Sequence, residues 1–313
     1  MIPLAKNVPF KTYLRVFDTQ IRPILEYGSE VWYGGHAIKK IENVHITFLK
    51  QIMGVKTQTS SLTVYGETGR YPLELRQKEM AVKYWVRLIQ LNDNDPLKHI
   101  YKELLRVHIS GGNTWCKTVM SVLHSIDHIN LWEAHIDGVE TISVKPLLSK
   151  LKVTLEQQYK STWYSDICDS VKHPVLRTYK LFKNSHHVET YLLSVKNAGH
   201  RKNITRFRVS SHDLEIEKGR HCRPKIPASD RLCKFCSANA VDDELHLLTS
   251  CVYHDVERDI LYQCVLQYIT NLMFMDDRLA FISILQTENQ HILAALGSFL
   301  SAAFQKRKLH RAV

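Results

Sequence analysis

Cys233-Lys234-Phe235-Cys236 sets two thiols two residues apart, the spacing that lets one tight turn present both sulfurs to a single metal ion. Nine residues intervene before His246, and four more before Cys251. Three soft sulfurs and one imidazole make a closed tetrahedral set, the ligand pattern of a structural zinc, and leave no position open for catalysis. The opposing reading is a group of buried thiols beside a surface histidine. His254, His221 and Cys222 also stand close enough in sequence to act as substitute ligands. Cys116, Cys168 and Cys264 lie apart and read as core thiols.

Helix geometry limits how these ligands can be carried. At about 100° per residue, a continuous helix would turn His246 and Cys251 some 140° apart. The pattern therefore predicts a short helix capped by Asp242 or Asp243 that carries His246, then a break near residues 249–252 that swings Cys251 back.

The residues leading into the cysteines are strongly basic. Between positions 196 and 234 lie Lys196, Arg201, Lys202, Arg206, Arg208, Lys218, Arg220, Arg223, Lys225, Arg231 and Lys234, against only Asp213, Glu215, Glu217 and Asp230. Eleven bases against four acids leave +7, so most of the chain's +11 sits beside the cysteines. Arginines and lysines on one ridge neutralise several phosphates and release their counterions, which makes RNA or DNA the expected partner. Phe207 and Phe235 are the only aromatic residues here for stacking, too few to claim base-specific reading. A solvated polar face is the competing reading.

Other chemistries find little support. There is no Gly-rich phosphate loop and no nucleophile elbow, and no small-molecule substrate is expected. His124 and His128 share a helix face at four-residue spacing, but Ser125 stands where a zinc protease needs its glutamate base. Phe274-Met275-Asp276-Asp277 matches the aromatic-x-Asp-Asp string of polymerase palms, yet reads as a helix cap and polar turn. Lys6 and Lys11 interrupt the N-terminal apolar run and no stretch reaches about eighteen apolar residues, so neither a signal peptide nor a membrane span is expected. Seven cysteines, an odd number spread from Cys116 to Cys264, do not form the framework of a small secreted disulfide scaffold. A soluble intracellular protein, of nucleus or cytoplasm, is the expectation.

The elements that must position these residues are helical. Apolar periodicity predicts a helix from Tyr13 to Val31 kinked at Pro23, and a second from Ala37 to Met53 stopped by Gly54. Pro72 should open a long helix reaching Gln90, which the segment Asn92 to Pro96 ends. Further helices are expected over Leu97 to Val107, Trp115 to Ile126, Lys145 to Tyr164, Pro174 to Phe182, Tyr253 to Met273 and His291 to Leu309. The pattern weakens between Asn130 and Glu140, where a loose domain boundary is placed. Trp85 and Trp163 sit at core spacing, as does Trp32. The fold class is mainly α.

Three blocks resemble the C-terminal part of the reverse transcriptases of non-LTR (LINE-type, jockey-like and RTE-like) retrotransposons. YLRVFDTQIRPILEYGSEVWYGG, from Tyr13 to Gly35, is similar to the helical thumb that follows the polymerase palm. TVYGETGRYPLELRQKEMAVKYWVRL, from Thr63 to Leu88, is similar to the family's connector, with Glu67, Gly69 and Pro72 in the expected order. TRFRVSSHDLEIEKGR, DRLCKFC and DDELHLLTSCVYHDVER, within Ile204 to Arg258, resemble its basic segment and Cys-Cys-His-Cys zinc knuckle. The resemblance implies zinc ligation by Cys233, Cys236, His246 and Cys251, and contact of the preceding basic residues with template RNA or target DNA. It implies a thumb-like hairpin over residues 1–57, a connector over 58–135, a helical region over 136–194, the basic segment and knuckle over 195–258, and a helical pair over 259–313. The palm carboxylates that hold two divalent ions should lie upstream of the thumb block, where too few residues stand, so no polymerase or endonuclease activity of the chain's own is expected.

Overall fold

In a computed structural model, residues 8–35, 38–139 and 144–310 are described. Most of them are helical, and the only β pairing among them is two isolated antiparallel bridges, Thr68 with Val188 and Leu232 with Val241. The chain is mainly α, as its periodicity predicts. Among the described residues no helix is long and apolar enough to cross a membrane.

The chain gathers into two compact units whose segments interleave. One contains the chain up to Leu14, Thr47–Arg70 and everything from Trp163 onward; the other contains Arg15–Ile46 and Tyr71–Thr162. This differs from the five consecutive segments expected above, and the helix Ile129–Ile136 runs through the expected boundary. Periodicity reports where a helix buries its face, not against which distant segment, so interleaving leaves no mark in it.

In the Arg15–Ile46, Tyr71–Thr162 unit, the expected Tyr13 to Val31 helix is broken. A π-helical turn spans Phe17–Ile21, followed by short helices Arg22–Leu25 and Ser29–Trp32. Pro23 has no N–H to return to the carbonyl four residues back, so a regular α ladder cannot cross it. Pro72 precedes the helix Leu73–Ile89 as its N-cap, and the Leu73 N–H donates to Glu42 Oε2 at 2.7 Å. That helix puts Ala81, Val82, Trp85 and Val86 into a core with Val119, Val122, Leu123, Trp132, Leu147 and Leu151. Trp85 Nε1 donates to Tyr101 Oη at 3.0 Å, and His135 Nε2 lies 2.8 Å from the same oxygen, so the polar atoms of this core are paired. Asp95 caps the helix Pro96–Ile109 by accepting from the Leu97 N–H. The helix Trp115–Ser125 stops short of His128, so His124 and His128 do not share a helix face. Asp127, at φ +58, turns the chain between them.

The other unit holds the cysteine cluster. Its long elements are Ser61–Thr68, Ala198–Arg208, Asp255–Leu266 and the last helix, Gln290–His310, which packs against both Ala198–Arg208 and Asp255–Leu266. Asn197 caps Ala198–Arg208 by accepting from the N–H groups of Gly199 and His200. The expected Tyr253 to Met273 helix is shorter, running Asp255–Leu266 with 3-10 turns at Val252–His254 and Leu272–Phe274. The expected Pro174 to Phe182 helix is likewise split into Pro174–Leu176 and Tyr179–Phe182.

Candidate metal centre and its basic flank

The cluster is assembled by two local structures, each simple. The bridge between Leu232 and Val241 closes a small loop, with Cys233 N–H donating to Ala240 O and Asp242 N–H donating to Arg231 O, both at 2.9 Å. Cys233 and Cys236 lie inside that loop. Next comes the short helix Glu244–Thr249, capped by Asp243, whose Oδ1 accepts from the His246 N–H at 2.9 Å. The N–H groups of Ser250 and Cys251 both turn back to His246 O, at 3.2 and 2.9 Å, and end the helix there. Cys251 is extended, at φ −70° and ψ 108°, which returns its sulfur to the cluster. The cap and the break stand where the ligand spacing predicts them.

One ligand atom from each of Cys233, Cys236, His246 and Cys251 lies within 4.8 Å of all the others, and among the described residues this is the one group of metal-ligating type. Cys233 Sγ is 3.9 Å from Cys251 Sγ, and Cys236 Sγ is 3.3 Å from His246 Nε2. A tetrahedral zinc with Zn–S near ~2.3 Å and Zn–N near ~2.0 Å spans S···S edges of about 3.8 Å and S···N edges of about 3.5 Å. The four side chains can therefore hold such an ion. His246 Nδ1 lies 3.3 Å from Ser250 Oγ, a second hydrogen bond that leaves Nε2 directed at the sulfurs. The Cys233 thiol is held well below its ordinary range, first because Cys251 donates to it; Cys251 is raised, first by that same bond. Two buried sulfurs contending for one proton form a site whose charge a cation would stabilise.

The alternatives resolve cleanly. His246 is buried and faces Cys236, so it is not a surface histidine. His221 and Cys222 are exposed and His254 is fully buried, all three outside the cluster. Of the three remaining cysteines only Cys116 is a buried core thiol; Cys168 is exposed and Cys264 half-buried. Cys168 is the last residue of the helix Lys145–Cys168.

The last helix braces the knuckle. Arg307 pairs with Asp242, both buried, and its guanidinium stacks 4.2 Å above the Phe235 ring. Lys306 Nζ donates to Tyr253 O at 2.8 Å and pairs with Glu257 at 3.0 Å. Lys306 and Arg307 are thus spent on holding the cysteine loop, a role their spacing gave no sign of.

The eleven bases of the flank separate into kinds. Arg208 is the clear correction: it is 2 % exposed and locked between Glu67 and Glu189, out of reach of any phosphate. Phe207 is buried too, and Phe235 lies under Arg307, so neither offers a free stacking face. Arg201, Arg206 and Arg231 donate to main-chain carbonyls, of Val195, of Gly54, and of Ile216 and Ile226. Lys218 and Lys234 approach Glu215, and Arg220 pairs with Glu217 at 2.9 Å. Lys196, Lys202, Arg223, Lys225 and Lys234 are exposed, and residues 221–230 are exposed without a break. Arg177, absent from the expected set, joins this surface by bridging Glu217 at 2.8 Å and Glu244 at 2.6 Å. It stands in a short basic stretch with Lys172, Lys180 and Lys183, outside positions 196–234, and that local excess of base was the signal that could have marked it.

Asp276 caps the helix Asp277–Leu285 by accepting from the Leu279 N–H at 2.7 Å. The aromatic-x-Asp-Asp string has this capping role. Comparison of the chain with known protein families, with curated proteins and with solved structures gave no match.

Proposed function

We propose that this chain binds nucleic acid, RNA or DNA, through a basic surface organised by a structural zinc, and that it represents the thumb, connector and knuckle region of a LINE-type reverse transcriptase. One observation carries the reading: a closed Cys3His set whose first cysteine lies two residues from Arg231, at the end of the fully exposed basic loop 221–230. Zinc bound there would supply charge neutralisation and a cross-link, and no reactive position. The chain's own residues do the rest: the loop presents Arg223 and Lys225 to solvent, and the bridge at Leu232 ties it to the cluster. The collinear resemblance of three blocks supports the parent family.

A titration of labelled single-stranded RNA and DNA at two salt concentrations tests the proposal. Micromolar or tighter binding that weakens steeply with salt is expected, and absence of binding to both overturns it. Primer extension by the purified chain is expected to give no product. A second reading, a zinc-stapled protein-interaction module, is favoured by one feature: the helix Pro96–Ile109 exposes Leu97, Ile100, Leu104 and Val107 along one stripe. Lack of nucleic-acid binding would favour it.

A further inference from the structure

Beside the knuckle lies a cleft of about 490 Å³ whose lining includes Arg177, Arg220, His221, Lys225 and Arg231 and no carboxylate. Pro174, Ile216 and Ala228 complete its wall. Glu217 and Glu244 offset Arg177 and Arg220. The other three have no carboxylate partner among the described residues. Arg231 matters most here. Its Nε and Nη2 donate to Ile226 O and its Nη1 to Ile216 O, so every bond it makes is to a carbonyl and its full charge remains uncompensated. It is also held in place: a Cβ at Gly219 would stand 2.7 Å from its Cγ, Cδ and Nε, so only glycine leaves room for the side chain. Arg177 Nε is buried without a hydrogen-bond partner. A fixed, uncompensated guanidinium, an unsatisfied guanidinium N–H, a lysine and a histidine around one cavity match a tetrahedral oxyanion with several acceptor oxygens.

We infer that this cleft is a phosphate-binding site, and, resting on the nucleic-acid reading above, that its occupant is a backbone phosphate of an extended strand whose sugar lies on the apolar wall. Arg231 precedes Cys233 by two residues and its carbonyl accepts from Asp242, so a metal held by the cysteines also fixes this wall of the cleft.

The test uses the full chain, a labelled single-stranded oligonucleotide and inorganic phosphate. Cys222, exposed in the same loop, serves as reporter through its alkylation rate, followed by mass spectrometry. Lys225→Glu changes an exposed side chain and should leave the fold intact; Lys308→Glu makes the same charge change at another exposed position. Lys225→Glu is expected to weaken oligonucleotide binding about tenfold and to lower the salt slope by about one to two, with Lys308→Glu changing it far less. Inorganic phosphate should slow Cys222 alkylation saturably in the parent chain and not in Lys225→Glu. Oligonucleotide binding that Lys225→Glu leaves untouched would overturn the cleft while the nucleic-acid reading stood. Saturable protection by phosphate without oligonucleotide binding would sustain the cleft and overturn that reading. Neither binding nor protection would overturn both.

Discussion

Arg208 and Glu67, 141 positions apart in sequence, meet as a two-pronged buried ion pair, Nε to Oε2 at 2.7 Å and Nη2 to Oε1 at 3.1 Å. Tyr191 Oη donates to the same Glu67 oxygen at 2.8 Å, and Arg208 stacks 4.6 Å above Phe182. Glu189 is a second carboxylate partner, at 2.8 Å. The pair joins the block around Glu67 to the block around Arg208, which explains how two distant stretches belong to one folded unit.

Removing one partner strands the other as a buried charge. Arg208→Ala is therefore expected to cost on the order of 3–5 kcal/mol of stability by chemical denaturation. Glu67→Gln combined with Arg208→Met should cost less than the two single changes added together. A loss below about 1 kcal/mol for Arg208→Ala would contradict a fully buried ion pair between Arg208 and Glu67.

Gly69 ends the helix Ser61–Thr68 at φ +62, and an added Cβ would stand 2.4 Å from the Val188 backbone nitrogen. Backbone cannot give way as a side chain can. Gly69→Ala is expected to lower stability by roughly 1–3 kcal/mol through combined overpacking and left-handed strain. Gly111→Ala is the comparison, since its φ is also positive but nothing lies within 4 Å of an added Cβ. It isolates the conformational cost, and equal losses for the two would show that packing against Val188 contributes nothing.

If zinc occupies the cluster, protein purified without added metal should carry about one ion per chain. Cys236→Ser should lose it and melt at lower temperature, because binding free energy at such a site is folding free energy. Chelation of the parent protein should produce the same destabilisation. A metal-free parent chain with unchanged melting in Cys236→Ser would end the assignment.

His135 sits in the other unit, stacked on Tyr101, and its pKa is lowered below 6.5, first by burial and then by the charge of Lys98. A depressed histidine favours its neutral form in the folded state. Its contribution is therefore present above the unfolded pKa of ~6.5 and is lost as pH falls below that value. His135→Gln keeps an acceptor for Tyr101 Oη but cannot titrate. Denaturation midpoints between pH 7 and pH 5 should fall less steeply for the variant, and parallel profiles would exclude this role.

Much of the candidate site was legible because its determinants are local. Two thiols in one turn, a capping aspartate, and the angular mismatch between His246 and Cys251 all operate within nineteen consecutive residues, and backbone geometry converts such spacing directly into position. Several helices of the fold were legible for the same reason, as in Leu73–Ile89 after Pro72, whereas Ser61–Thr68, Ala198–Arg208 and Asp277–Leu285 were not expected. What failed was counting charge as surface. Arg206 and Arg208 look alike in sequence, yet Arg206 is half-buried with Nε on Gly54 O while Arg208 is enclosed by two carboxylates.

The sequence by itself thus determined the helical class, the four residues of the Cys3His cluster and the way a cap and a break present them. Tertiary structure alone decided that Glu67 and Glu189 claim Arg208, that Arg307 comes back to brace Asp242, and that Arg177 joins Arg231 around one cleft. The physical reason is range. Hydrogen-bonded turns and caps act over three or four residues, whereas a buried charge takes its partner from whichever distant helix packs beside it.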